Sequence, residues 1–268
     1  MWETSTGVPK LEYVPGKRDI ATRRELADPS APSEPHGTTA TRPASLAPEL
    51  SSVAQDYLKV IWTAQEWSPQ EKVSTKLLAE KIGVSASTVS EAVRKLADQG
   101  LVEHARYGSI TLTEDGRRAA IAMVRRHRLI ETFLVNELGY GWDEVHDEAE
   151  VLEHAVSETL MERIDAKLGH PDRDPHGDPI PSVDGAVPTP PARQLSDFDA
   201  GESGRVARIS DSDPAMLRYF DSLGIALDTP IAVVERRDFA GTIAVQVQER
   251  TIDLGSIAAE AIWLSEAH

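Results

Sequence analysis

The sequence predicts a mainly α-helical protein with small β parts: a winged helix-turn-helix, a helical middle and a small C-terminal β-barrel. Three observations carry this. Apolar residues recur at helical spacing from Val53 to Ala64 and again from Met123 to Leu134. Two short helical patterns on either side of Gly83 run into a pair of β-prone segments, as a wing requires. From about Ala200 to His268, β-rich runs alternate with one helical stretch. The expected boundaries are an N-terminal arm over 1–48, the winged domain over 49–117, the helical domain over 118–190, and a linker with the β domain over 191–268.

In chain order, residues 1 to 48 mix Pro, Ser, Thr, Gly and charge without a sustained period, which reads as a disordered arm. Val53, Tyr57, Val60, Ile61 and Ala64 then form the apolar stripe of a first helix. Ser74 suits the cap of a short helix containing Leu77, Leu78 and Ile82, Gly83 breaks it, and Ser85 caps the next. In that next helix Val89, Val93, Leu96 and Ala97 share one face. Leu101–His104 and Ser109–Leu112 flank Arg106-Tyr107-Gly108 as a hairpin would. Thr113, Glu114 and Asp115 suit the start of a long helix ending near Gly139. Another helix is expected from near Asp143, and Ser157 caps a further one ending at Gly169. Residues Pro171 to Pro191 are dense in Pro, Gly and Asp and read as a linker or an irregular strap. Strands are expected over Ile231–Val234 and Ile243–Val247, with a helix over Pro214–Leu223.

No apolar run approaches the roughly 18 residues of a membrane span, and the first residues lack the pattern of a signal peptide, so a cytoplasmic location is expected. The chain of 268 residues has no cysteine, which excludes disulfides and thiolate metal sites. Its net charge of −16 looks hostile to nucleic acid, but the charge is segregated. Ser51 to Arg128 holds 12 Lys/Arg against 9 Asp/Glu, whereas Leu129 to Ala200 holds 4 against 17. A helix-turn-helix places its second helix in a major groove, which makes Ser85, Ser87, Thr88, Ser90, Arg94 and Lys95, with Arg106 on the wing, candidate DNA contacts.

The acidic middle contains a ligand-like pattern. On a continuous helix His146, Glu150, Glu153 and His154 fall within roughly a 100° arc. His127 and Glu131 stand four residues apart on the preceding helix, and Asp56 interrupts the apolar helix before them. Stacked carboxylates repel unless a cation lies between them. The two helices could each offer imidazole and carboxylate to shared ions.

These residues, with Arg126-His127-Arg128-Leu129, the run His146-Asp147-Glu148-Ala149 and the strap Pro175-His176-Gly177-Asp178-Pro179-Ile180-Pro181, resemble the diphtheria-toxin-repressor family of metal-dependent regulators over Ser51 to about Leu264. The resemblance implies a homodimer with a helical dimerisation domain and a C-terminal SH3-like β-barrel. It implies a primary site of Asp56, Glu150, Glu153 and His154 and an ancillary site of His127, Glu131 and His146, about two ions per subunit. Iron-responsive members carry Met and Cys where this chain has Asp56 and Glu150. Hard oxygen in place of soft sulfur points to Mn²⁺. Lys59 stands where certain two-domain manganese members have a second first-helix carboxylate, and Asp211 or Asp213 stands where iron members draw ligands from the C-terminal domain.

The implied function is a manganese-dependent repressor of manganese transport genes, acting on double-stranded operator DNA with no membrane partner and no small-molecule substrate. Fe²⁺ or Zn²⁺ as effector, with Fe²⁺ and other divalent ions also binding in vitro, is the alternative within the family. A carboxylate-bridged dimetal enzyme is the alternative outside it; such enzymes use paired Glu-x-x-His helices, which His127, His146 and His154 do not provide.

Overall fold

Hydroxyl side chains decide where the N-terminal helices begin. Ser51 accepts from the amide of Ala54 at the head of α1 (Ser52–Glu66), Ser74 from Leu77 at α2 (Thr75–Ile82), and Ser85 from Thr88 at α3 (Ala86–Asp98). Each such cap satisfies an amide the helix cannot pair internally, worth about 1 kcal/mol. Gly83 closes α2 at φ 74°, a left-handed conformation that costs a residue with a Cβ and that makes the turn into α3. The wing follows as antiparallel β1 (Val102–His104) and β2 (Ile110–Leu112). Leu58, Ile61, Leu78, Val89 and Ile110 are fully buried together, and this core holds the three helices and the wing as one body. The computed structural model describes residues 50–67, 70, 72–104 and 109–266. The expected N-terminal arm and the hairpin tip with Arg106 lie outside the described residues.

Thr113 caps α4 (Glu114–Leu138), whose acidic first turn complements the helix dipole. It packs with α5 (Val145–Leu152) and α6 (Glu158–Leu168) around Leu129, Ile130, Val145, Ala149 and Ile164. One detail departs from the continuous helical arc expected from the sequence. Helix α5 stops at Leu152, so Glu153 and His154 lie in the turn beyond it. Arg126 holds that turn: its Nη1 donates to the carbonyls of Glu153 (3.1 Å) and Val156 (2.7 Å), in place of the amides a continuing helix would supply.

The Pro-rich segment is a docked strap over its first half. Asp174 and residues 176–181 are buried, tied by a single bridge between Arg173 and Pro179. Gly177 sits at φ 92°, and a Cβ there would lie 2.1 Å from the carbonyl oxygen of Ala207. Gly177→Ala should therefore destabilise the protein by at least the ~1–3 kcal/mol of a strained backbone, read as a lower urea midpoint. An unchanged midpoint would show that the strap can dock elsewhere.

The C-terminal region is a six-stranded antiparallel sheet in the order β3 (Arg193–Gln194), β8 (Ile262–Glu266), β4 (Ser203–Ile209), β5 (Pro230–Arg237), β6 (Thr242–Val247) and β7 (Arg250–Gly255). Helices α7 (Pro214–Leu223) and α8 (Ser256–Glu260) complete it, with Phe198, Phe220, Ile209 and Leu217 in its core. The expected helix and the two expected strands are present, the strands longer than foreseen. Strand β4 hid from its sequence because its pairing with β8 shifts between Val206 and Arg208, and a bulge interrupts the in-out alternation.

That bulge turns Arg208 toward the strap, where it meets a buried polar knot. Asp178 Oδ1 accepts from Arg208 Nε at 2.7 Å and from Trp67 Nε1 at 2.6 Å. Arg128 on α4 donates to Glu66 Oε1 (2.9 Å) and to the carbonyl of Pro179 (2.7 Å). The Arg208 guanidinium also lies 4.2 Å from the ring centre of Trp263. The end of α1, the middle of α4, the strap and the β-sheet are thereby fastened at one point.

Candidate metal centre

Three of the four residues expected at the primary site converge between α1 and the turn after α5. His154 Nε2 stands 2.8 Å from Asp56 Oδ1 and 3.5 Å from Glu153 Oε1. His154 Nδ1 pairs with Gln55 Oε1 at 2.8 Å. If Nδ1 carries the hydrogen for that bond, Nε2 presents its lone pair to the carboxylates. Asp56 Oδ1 is buried without a hydrogen bond, and burial raises the carboxyl's pKa against the pull of His154 and Lys59. An orphaned buried oxygen facing an imidazole nitrogen is what a cation site looks like from its ligands.

Glu150, the fourth, turns elsewhere. Its Oε1 is 3.5 Å from His146 Nε2 and 4.0 Å from His127 Nδ1, and Lys59 Nζ lies between it and Glu153, at 2.7 and 2.6 Å. His127 connects the two clusters: Nδ1 is 2.6 Å from Glu153 Oε2 and Nε2 is 3.0 Å from Glu131 Oε1. Burial opposes its charge, but Glu131 and the hydrogen bonds of both carboxylates outweigh that and raise its pKa to about 10. Burial likewise opposes ionisation of Glu153 and Glu131, yet His127 holds both below the usual carboxylate range.

The ancillary residues His127, Glu131 and His146 are brought together, with His127 Nε2 3.2 Å and Glu131 Oε1 3.3 Å from His146 Nδ1. Asp211 joins them, its Oδ2 3.5 Å from the same nitrogen. Asp213, the other residue considered there, instead caps α7 by accepting from the amide of Ala215 at 2.8 Å. Two further residues were not foreseen. The strap presents His176 and Asp174 to Glu131, all three buried and close enough to share an ion. His176 Nε2 donates to the carbonyl of Trp142 at 2.7 Å, which leaves Nδ1 as a buried lone pair without a partner, 3.8 Å from Glu131 Oε2. Burial, with Asp178 and Glu131 nearby, pushes Asp174 up to about 8. The strap motif was visible in the sequence, but its contact with α4 was not.

The donors of both clusters are oxygen and imidazole nitrogen, and the orphaned Asp56 Oδ1 and His176 Nδ1 each face one cluster, so the residues fit borderline-to-hard divalent ions.

On α3 the expected DNA contacts Ser85, Ser87, Thr88, Ser90, Arg94 and Lys95 are exposed. The Ser85 hydroxyl is engaged as the helix cap and meets those of Ser87 and Thr88, each at 2.8 Å; Ser90 donates to the Ala86 carbonyl; and Lys95 pairs with Glu91 at 2.9 Å. Such exposed pairs are weak and exchange readily for a phosphate partner.

Residues 49–110 match the iron dependent repressor N-terminal DNA binding domain, residues 113–182 the iron dependent repressor metal binding and dimerisation domain, and residues 193–266 the FeoA domain. The chain is 38% identical over 137 residues to the iron-dependent repressor IdeR of Mycobacterium tuberculosis, spanning 50% of this chain and 58% of that relative's length. A solved manganese-dependent transcriptional repressor in complex with manganese is 70% identical, covering 80% of this chain and all of that one with a TM-score of 0.77. The manganese regulator SloR is 34% identical, covering 80% of this chain and 98% of that one with a TM-score of 0.69. Among the described residues no helix is long and apolar enough to cross a membrane.

Proposed function

The chain belongs to the diphtheria-toxin-repressor family of metal-dependent transcriptional regulators, and from that premise we propose that it represses transcription in response to Mn²⁺ in the cytoplasm, with manganese transport genes as its targets. The observation that carries this is the convergence of Asp56 from α1 with Glu153 and His154 from the turn after α5, in a chain without a single thiolate. The second cluster, Glu131 and His146 with Asp211, His176 and Asp174, supports a second ion per subunit. Solved relatives named as manganese-dependent favour the same effector, whereas curated relatives named as iron-dependent keep Fe²⁺ as the competing one. The dimetal-enzyme alternative falls away with family membership, since the matched families and structures are named as repressors.

A divalent ion, when bound, supplies the positive charge that lets carboxylates of different segments sit together. Asp56 ties α1, and with it the winged body, to the helices α4 to α6. Those helices leave Leu138, Val151 and Leu160 exposed, apolar surface that a homodimer would cover. In the dimer two α3 helices meet successive major grooves, with Arg94 and Lys95 toward phosphates. By linkage, operator DNA tightens metal binding by the factor through which metal tightens DNA binding.

The test is to select duplexes from a random pool with the Mn²⁺-loaded full chain. The winner is then titrated with Mn²⁺, Fe²⁺ and Zn²⁺ in reducing, chelator-buffered solution while anisotropy is followed. Mn²⁺ is expected to drive saturable binding that chelator reverses. Response to Fe²⁺ or Zn²⁺ without response to Mn²⁺ would transfer the effector, and binding indifferent to any metal would sink the proposal.

A further inference from the structure

Between the two glutamates assigned to one ion, the protein places a positive charge of its own. Lys59 follows Asp56 by three residues on α1, and its ammonium reaches across to the end of α5, hydrogen-bonding Glu150 Oε1 at 2.7 Å and Glu153 Oε1 at 2.6 Å. Only 6% of the residue is exposed. Lysines are rarely buried to this degree unless paired, and here the pairing extends to two carboxylates rather than one. Burial works against the ammonium, but Glu153 and Glu150 more than restore it and raise its pKa.

We propose that Lys59 is a resident counter-cation of the metal centre: its ammonium holds Glu150 and Glu153 together and must withdraw before a divalent ion can take both, so that Lys59 sets the amount of metal the protein requires. The inference rests on the reading of Asp56, Glu150, Glu153 and His154 as a metal centre. Small divalent ions bind oxygen at about 2.0–2.2 Å. An ion held by Glu150 and Glu153 would compete with the ammonium for the oxygens that Nζ engages at 2.7 and 2.6 Å. The exchange replaces one positive charge by two, which favours the ion, but it also breaks two charge-assisted hydrogen bonds. Lys59 therefore has opposite effects on the two forms. It steadies the carboxylate pair in protein stripped of metal, and it weakens the metal's hold. Because Lys59 and Asp56 share α1, the ammonium also links α1 to the end of α5 along the route a bound ion would use.

The experiment compares the full chain with Lys59→Gln and Lys59→Arg. Mn²⁺ affinity is measured by chelator competition and thermal melting is followed in excess chelator. Lys59→Gln should bind Mn²⁺ about tenfold or more tightly, the scale of one lost charge-assisted hydrogen bond, while melting at a lower temperature without metal. Lys59→Arg, which keeps the charge, should show no such gain. A purely structural ion pair would lower the melting temperature without tightening metal binding. Equal or weaker Mn²⁺ affinity in folded Lys59→Gln therefore overturns the inference. Should that variant fail to fold, a crystal of the natural protein soaked in Mn²⁺ decides: metal bound to Glu150 and Glu153 with the Lys59 ammonium withdrawn supports the inference, and metal bound with the ammonium still between them overturns it. Absence of Mn²⁺ binding by the natural protein would bring down the metal-centre reading itself, a distinct outcome.

Discussion

Asp56→Ala will abolish metal-dependent DNA binding and leave a folded dimer. Among the described residues of the primary cluster, Asp56 is the one carboxylate contributed by the winged body; Glu150, Glu153 and His154 all come from α5 or the turn after it. Without it, an ion held by Glu150, Glu153 and His154 would touch the helical domain but would no longer fasten α1 to it. A loss of about 100-fold or more in metal-dependent operator affinity is expected, since disturbing even an outer partner of a ligand costs about 10–100-fold. The fold should survive because the Asp56 carboxylate contributes little to it. Its Oδ1 lacks a hydrogen bond, and burial raises its pKa, so the ionised group is held in the native state at a cost that alanine removes. Anisotropy on the selected operator, with circular dichroism and size-exclusion chromatography as controls, provides the check. A variant whose operator binding still responds to metal would remove Asp56 from the centre.

Asp178→Ala should be the most damaging change to stability, about 3–5 kcal/mol, because it takes one partner out of a buried charge cluster and leaves the others uncompensated. Arg208 would keep its place between the rings of Trp67 and Trp263 but lose its carboxylate, and the indole N–H of Trp67 would lose its acceptor. Arg128 would be held by Glu66 and the Pro179 carbonyl. Burial opposes ionisation of Asp178, yet Arg208 and Arg128 lower its pKa below 3.8. Its stabilisation is therefore complete at neutral pH and is lost as the pH falls below 3.8 through the native value. Urea unfolding at neutral pH should show the loss, with Asp178→Asn intermediate because the amide oxygen still accepts from Trp67. A midpoint shift of less than about 1 kcal/mol would mean that water replaces the carboxylate and that the knot does not fasten the domains.

Local elements and the chemical type of the site were legible in the order of the residues. Ser74, Ser85, Thr113 and Ser157 each cap the helix their positions announce, because a cap depends on residues only three apart. The absence of cysteine restricted any metal to oxygen and imidazole, and the spacing of His127 with Glu131 and of His146 with Glu150 put ligand types on shared helix faces. Tertiary structure alone decided what meets what. Arg126, reaching over from α4, donates to the Glu153 carbonyl just past the end of α5; Glu150 stands near His127 and His146; His176 and Asp174 reach Glu131 from a strap held by Arg208 through Asp178, by Arg128 through the Pro179 carbonyl, and by the Ile209 amide through the His176 carbonyl. Lys59, read from sequence as a missing carboxylate, stands between Glu150 and Glu153. The physical reason is range: caps and periodicity act within one turn of the chain, whereas the balance of buried charges depends on which segments are packed together, and neighbouring positions in sequence do not encode it.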